Sequence, residues 1–215
     1  KRLEKYSSDY FLSYDKWHTK YFDFLKSKFF EVGSVKANSK NYPEKDKIYD
    51  IMFVSQYREN SHVDPIKYYY ASSGLSTVNN YLVFKKLADF CRENNKKLCV
   101  ALVSNRREKK YKIKSENEIK FFKSIDENFL YEKINNFELA KKSKLIVSVD
   151  STFGIELLYL GHKVLLMNPL GFIGVTHIFD GKESEGDFWT NKHTTSELDK
   201  KILKLINMRD IEFKE

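Results

Sequence analysis

The chain is poor in the residues that usually announce a specialised chemistry. Its 215 residues hold only two cysteines, three prolines and eight glycines. Cys91 and Cys99 are too few for a disulfide framework and stand at no metal-binding spacing. They suit a reducing cytoplasm. So little proline and glycine excludes a collagen-like or low-complexity chain. No apolar run approaches the roughly 20 residues that cross a bilayer, and no secretory signal is visible. There is no G-x-G-x-x-G, no Walker A motif and no G-x-S-x-G elbow, so no dinucleotide fingerprint, P-loop or nucleophile elbow stands out. The five histidines (His18, His62, His162, His177 and His193) have no metal spacing. Asp180, Glu183, Glu185 and Asp187 gather around Gly181 and Gly186. They match neither an EF-hand nor a paired-carboxylate site and read as a solvated loop. The chain opens on Lys1 rather than Met, which suits a fragment of a longer protein.

What the chain does have is aromatic mass and positive charge. Seventeen Phe and 14 Tyr are enough for a real core. The formal charge of +8 admits nucleic acid, an anionic membrane surface or a phosphorylated ligand. The lysines are scattered, and many aromatics fall on apolar helix faces. A nucleic-acid stripe with exposed aromatics is therefore not expected.

Periodicity sets out the elements. Tyr6–Tyr14 suits a strand or an extended lead-in, and Tyr14–Phe29 carries Trp17, Tyr21, Phe24 and Leu25 at helical spacing. Phe30–Ser34 reads as a brief strand, and residues 36–47 as a surface loop. Ile48–Ser55 is a strand. Residues 56–76 hold no clear period and read as a long loop. Thr77–Asn94 is a helix with Tyr81, Phe84, Leu87, Phe90 and Cys91 on one face. Leu98–Ser104 is the next strand. Ser115 and Glu118 have capping-box spacing and open another helix. Phe129–Tyr131 suits a short strand, and Asn136–Ser143 a short helix. Leu145–Val149 and Lys163–Met167 are buried strands flanking a helix over Ile155–Leu160, which Gly161 stops. Residues 170–189 read as irregular. Thr194 and Glu197 cap a last helix, with Leu198, Ile202, Leu205 and Ile206 inward. Strands alternating with helices imply an α/β, Rossmann-like parallel sheet with helices on both faces. This domain would span residues 48–215, with residues 1–47 as an extension packed against it.

Ligands of such sheets lie beyond the carboxyl ends of the strands. Three ends here carry polar groups: Ser55-Gln56-Tyr57-Arg58, Ser104-Asn105-Arg106-Arg107 and Asp150-Ser151-Thr152. Their hydroxyls, amides and guanidinium groups suit a phosphorylated ligand. At the third end a strand feeds directly into a helix N-terminus, where unpaired N–H groups and the dipole favour an anion. Gly154 allows a close backbone approach there. Glu156 stands one turn further in, placed to accept from a sugar hydroxyl pair. An ordinary βαβ crossover, with Ser151 and Thr152 only capping a helix, would carry the same residues. Arg106 and Arg107 would equally suit a solvated basic loop.

The run S-T-F-G-I-E-L-L-Y-L-G-H-K-V-L-L resembles the donor-binding domain of GT-B glycosyltransferases. In that family a small polar turn is followed by a glutamate, a short apolar helix, a glycine and a strand. Carried over, the resemblance makes Ser151, Thr152 and Gly154 the donor phosphate turn and Glu156 the ribose ligand. Lys163 stands where many members have proline. D-S-T-F-G-I-E, with looser matches at Gly186–Asn191 and Gly33–Asn38, is similar more narrowly to bacterial transferases of CMP-activated acidic sugars, the Kdo transferase type. The resemblance implies a metal-independent, cytoplasmic glycosyltransferase half, peripheral at the inner membrane face. It would use a CMP-sugar donor and a glycan acceptor, and 215 residues leave the acceptor-binding domain to the rest of a parent chain. Glycerol- or ribitol-phosphate transfer of the teichoic-acid type is the alternative within enzymes. A non-catalytic nucleotide-binding scaffold is the alternative outside them.

Overall fold

Short apolar runs become strands here because helices cover them on both faces. The computed structural model describes residues 8–14, 16–22, 24–34, 46–57, 72–103, 112–149, 151–167, 186–190 and 195–214. The first unit is small: β1 (Tyr10–Ser13), α1 (Lys16–Tyr21) and β2 (Lys28–Glu31), with the two strands paired in parallel. A second sheet holds β3 (Tyr49–Val54), β4 (Leu98–Ala101), β5 (Ser143–Ser148), β6 (Val164–Met167) and β7 (Trp189–Thr190). Its order is β4-β3-β5-β6-β7, and every neighbouring pair is parallel. The expected α/β, Rossmann-like architecture is what forms.

Strand alternation sends side chains to two cores. Ile51, Phe53, Val100, Leu145 and Val147 face one side. There they meet α2 (Ser72–Glu93), α3 (Lys112–Lys123) and α6 (Thr195–Asn207), through Phe84, Phe122 and Ile202 among others. Met52, Val54, Ala101 and Ile146 face the other side. There Leu139 of α4 (Asn136–Lys141) and Leu157 of α5 (Thr152–Tyr159) cover them. The link from β4 to β5 changes faces beside the β4 edge, where Leu130 makes a parallel bridge to Cys99. Tyr14 of the first unit stacks on Tyr159 of α5, with ring centroids 5.4 Å apart.

Several expectations need correction. The helix expected over Tyr14–Phe29 is only α1, because Lys28–Glu31 pairs with β1 instead. Phe24, expected inward, is exposed. Helix α2 begins at Ser72, inside the stretch read as loop. Tyr81 is partly exposed rather than buried with Phe84 and Leu87. Helix α3 begins at Lys112, so Ser115 and Glu118 lie within it and do not form its capping box. Lys112, Ile113 and Lys114 include no helix breaker, so nothing stops the helix from extending backward. Strand β7 and the final helix α7 (Asp210–Lys214) fall where no element was expected.

The helix stops follow local chemistry. Gly161 takes φ 80°, and the N–H groups of Gly161 and His162 donate to Leu158 O and Leu157 O, a Schellman closure. Asn95 does the same for α2 at φ 51°, with Lys96 N–H donating to Cys91 O. Lys163 is buried, and its ammonium donates to Met208 O at 2.5 Å and Ile206 O at 3.4 Å. It thus ties β6 to the carbonyl end of α6, where a cation is favoured. Among the described residues no helix is long and apolar enough to cross a membrane.

Candidate functional site

Counted from β3, the main sheet runs 2-1-3-4-5. The chain leaves β3 toward β4 on one side and leaves β5 toward β6 on the other. The carboxyl ends of β3 and β5 therefore flank a topological switch point, where such sheets open a crevice. Phe53 pairs with Val147. Carrying that register onward sets Ser55 level with Val149. Gln56 and Ser151 thus leave neighbouring strand ends at one edge.

On the β5 side, Ser151 is extended (φ −91°, ψ 128°) and caps α5. Its hydroxyl accepts from Phe153 N–H at 3.3 Å, and its carbonyl accepts from Gly154 N–H at 2.9 Å. Thr152 is exposed. Gly154 is needed for space: a Cβ there would lie 2.4 Å from Ser148 Oγ and 2.5 Å from Ser148 Cβ. Its hydrogen-sized side chain lets the first turn of α5 lie against β5. Ser148 Oγ is fully buried beneath that turn, with no hydrogen-bond partner among the described residues. Glu156 is only 8 % exposed.

On the β3 side, polar side chains from two helices lock the turn. Ser55 Oγ donates to Glu118 Oε1 at 2.5 Å, and the same oxygen accepts from Val103 N–H at 2.9 Å. Ser55 Oγ also accepts from Tyr57 N–H at 3.1 Å. A serine hydroxyl has one proton. Ser55 commits it to Glu118, so donating to a phosphate would require breaking that bond. Asn80 holds Gln56 twice: its Oδ1 accepts Gln56 N–H at 3.3 Å, and its Nδ2 donates to Gln56 Oε1 at 3.2 Å. Helix α2 is about 33 Å long at 1.5 Å per residue, against about 20 Å for β3. Its middle can therefore stand level with the strand's end, and Asn80 does so.

Glu118 and Asn80 are the two residues that sequence reasoning missed. Glu118 was read only as a cap. The available signal was a carboxylate one turn before Phe122 on a core-facing helix. Arg106, Arg107, Ser104, Asn105, Arg58 and Asp150 lie outside the described residues, as do Asp180, Glu183 and Glu185. Among the described residues no group of three or more His, Cys, Asp or Glu could hold a metal ion.

The opposite edge is built for stability. Glu132 accepts from Tyr49 Oη at 2.6 Å and from Lys142 Nζ at 2.7 Å. Both bonds hold its carboxyl below the usual range. Burial raises the pKa of Asp50, but bonds from Lys144 Nζ (2.8 Å) and Lys97 N–H (2.9 Å) outweigh it, and the net shift is downward. Burial pushes the thiols of Cys91 and Cys99 up to about 12. Neither is a reactive thiolate.

The site is thus a crevice edge with a helix N-terminus on one side and a locked polar turn on the other. No curated protein and no solved structure matches this chain. A family model described as "putative O-antigen biosynthesis protein" matches all of it, residues 1–215. The chain belongs to that O-antigen biosynthesis family, and its setting is surface-polysaccharide synthesis.

Proposed function

We propose that the domain binds the nucleotide of an activated sugar, as the donor half of a glycosyltransferase. The observation that carries this reading is the N-terminus of α5, set at the sheet's carboxyl edge beside the switch point. That end favours a phosphate through its N–H groups and dipole. As the sugar–phosphate bond breaks, charge grows on the departing phosphate, and a preorganised helix end stabilises it there. Thr152 adds an exposed hydroxyl, and Glu156 faces the ribose. Arg106 and Asp150 complete the donor contacts in this reading, and Gln56 presents its amide from the locked turn. The family's setting supports transfer to a growing surface glycan; the choice of an acidic sugar activated by CMP, such as Kdo, with transfer on the cytoplasmic side, rests on the resemblance of D-S-T-F-G-I-E alone. A separate domain would hold the acceptor.

Calorimetric titration tests this. CMP should bind more tightly than UDP, GDP or CDP-glycerol. Ser151→Ala and Thr152→Ala should each weaken CMP about ten- to hundred-fold, the loss of one hydrogen bond to a charged group. A preference for CDP-glycerol would instead mark a glycerol-phosphate transferase. No nucleotide binding at all would leave a scaffold.

A further inference from the structure

The two-stranded sheet of the first unit has one packed face and one bare face. Phe11 and Phe29 lie 5.3 Å apart on the packed side, and Phe11 also meets Phe22 at 5.1 Å. Ser13 alternates onto that side and is buried. The other side carries Tyr10 and Leu12 from β1 beside Lys28 and Phe30 from β2, by the register Tyr10↔Lys28 and Leu12↔Phe30. Tyr10 is 65 % exposed, Leu12 61 % and Phe30 41 %. Parallel neighbours at the same register point the same way, and the 5.8 Å separation of the Tyr10 and Phe30 rings agrees. The Lys28 ammonium sits 5.4 Å from the Phe30 ring centroid. Of the eight strand residues the only carboxylate is Glu31, which alternates onto the packed side. Lys26, just before β2, is exposed as well.

We infer that this face seats the chain on an anionic phospholipid bilayer. Tyrosine belongs at the headgroup level, leucine and phenylalanine just below it, and lysine can snorkel back to the phosphates. Charge selects this occupant over a second copy. Pairing the face with itself would bring two Lys28 ammonium groups together on chains that each carry +8. An anionic surface instead attracts both the local lysines and the whole molecule. The inference uses no residue of the carboxyl edge, so it stands or falls apart from the nucleotide reading.

Co-sedimentation of the full chain with sucrose-loaded vesicles tests it. Vesicles containing phosphatidylglycerol should carry the protein down, and phosphatidylcholine alone should not. Raising the salt should release it. Tyr10→Ser with Leu12→Ser should weaken binding about tenfold, as apolar contact is lost. Lys28→Glu should weaken it about fivefold or more, since one lysine near such a surface contributes roughly fivefold. That single change at an exposed position keeps the test decisive if the double variant unfolds. Absence of wild-type binding, or equal binding by wild type and folded variants, would overturn the inference. So would a wild-type dimer that the double variant loses.

Discussion

Gly154→Ala sets two effects of opposite sign against each other at the heart of the candidate site. Gly154 is helical, and alanine is the better helix former by about 1 kcal/mol. By helix propensity alone the variant should be more stable. The added Cβ, however, would lie 2.4 Å from Ser148 Oγ and 2.5 Å from Ser148 Cβ. Ser148 Oγ could rotate away, but Ser148 Cβ is fixed to the strand backbone, so α5 or β5 must move. Overpacking of this kind costs about 1–3 kcal/mol. The net expectation is a loss of up to about 2 kcal/mol, read as a lower urea midpoint with an unchanged slope. The shift should also tilt the α5 N-terminus away from the edge and weaken CMP in calorimetry. Ser148→Gly removes both clashing atoms. The double variant should therefore lose less stability than the two single effects summed, a coupling expected only of groups in contact. A Gly154→Ala protein more stable than wild type by the full helix-propensity gain of about 1 kcal/mol, or strict additivity in the cycle, would refute the close approach of Gly154 to Ser148.

Other outcomes follow from the same geometry. Ser148→Ala should be neutral or stabilising by about 1 kcal/mol in urea melts, because it removes a buried hydroxyl with no partner among the described residues. Glu118→Ala should lower stability by about 3 kcal/mol, since it strands Ser55 Oγ and Val103 N–H. Ser55→Ala should give a smaller loss in the same melts. Asp50 and Glu132 have folded-state pKa values below their unfolded ones. Their stabilisation is present above the unfolded carboxylate range, near pH 4, and is lost as pH falls through the folded values. Denaturation midpoints measured down to pH 3 should fall, and Lys142→Met with Lys144→Met should flatten that fall. Cys91 and Cys99 should resist a thiol reagent at pH 8 until denaturant opens the core; fast labelling of the native protein would contradict their burial.

Alternation and capping were legible in the chain because they are local. Buried β-branched runs at Ile51–Val54 and Leu145–Val149 read as strands. Gly161 read as a helix stop, and the structure gives it the positive φ that a stop of this kind requires. Ser151 read as a cap for the same reason: a cap needs only its own hydroxyl and the next few N–H groups. The order β4-β3-β5-β6-β7 was not legible. Periodicity shows which residues alternate but not which strands become neighbours. The Tyr14–Phe29 stretch shows the limit most plainly. Its helical spacing was real, yet pairing with β1 satisfied the backbone of Lys28–Glu31 and overrode it. The partners of Glu118 and Asn80 could not be read from the sequence either. Each acts through a partner distant in sequence, 63 residues away for Ser55 and 24 for Gln56. The sequence by itself determined the β/α alternation, the Ser151 cap, the Gly161 stop and the polar strand ends, because neighbours in the chain set them. Only the tertiary structure decided the switch point, the contact of Gly154 with Ser148 and the locking of Ser55 by Glu118, because these come from long-range packing that brings separate segments to one edge.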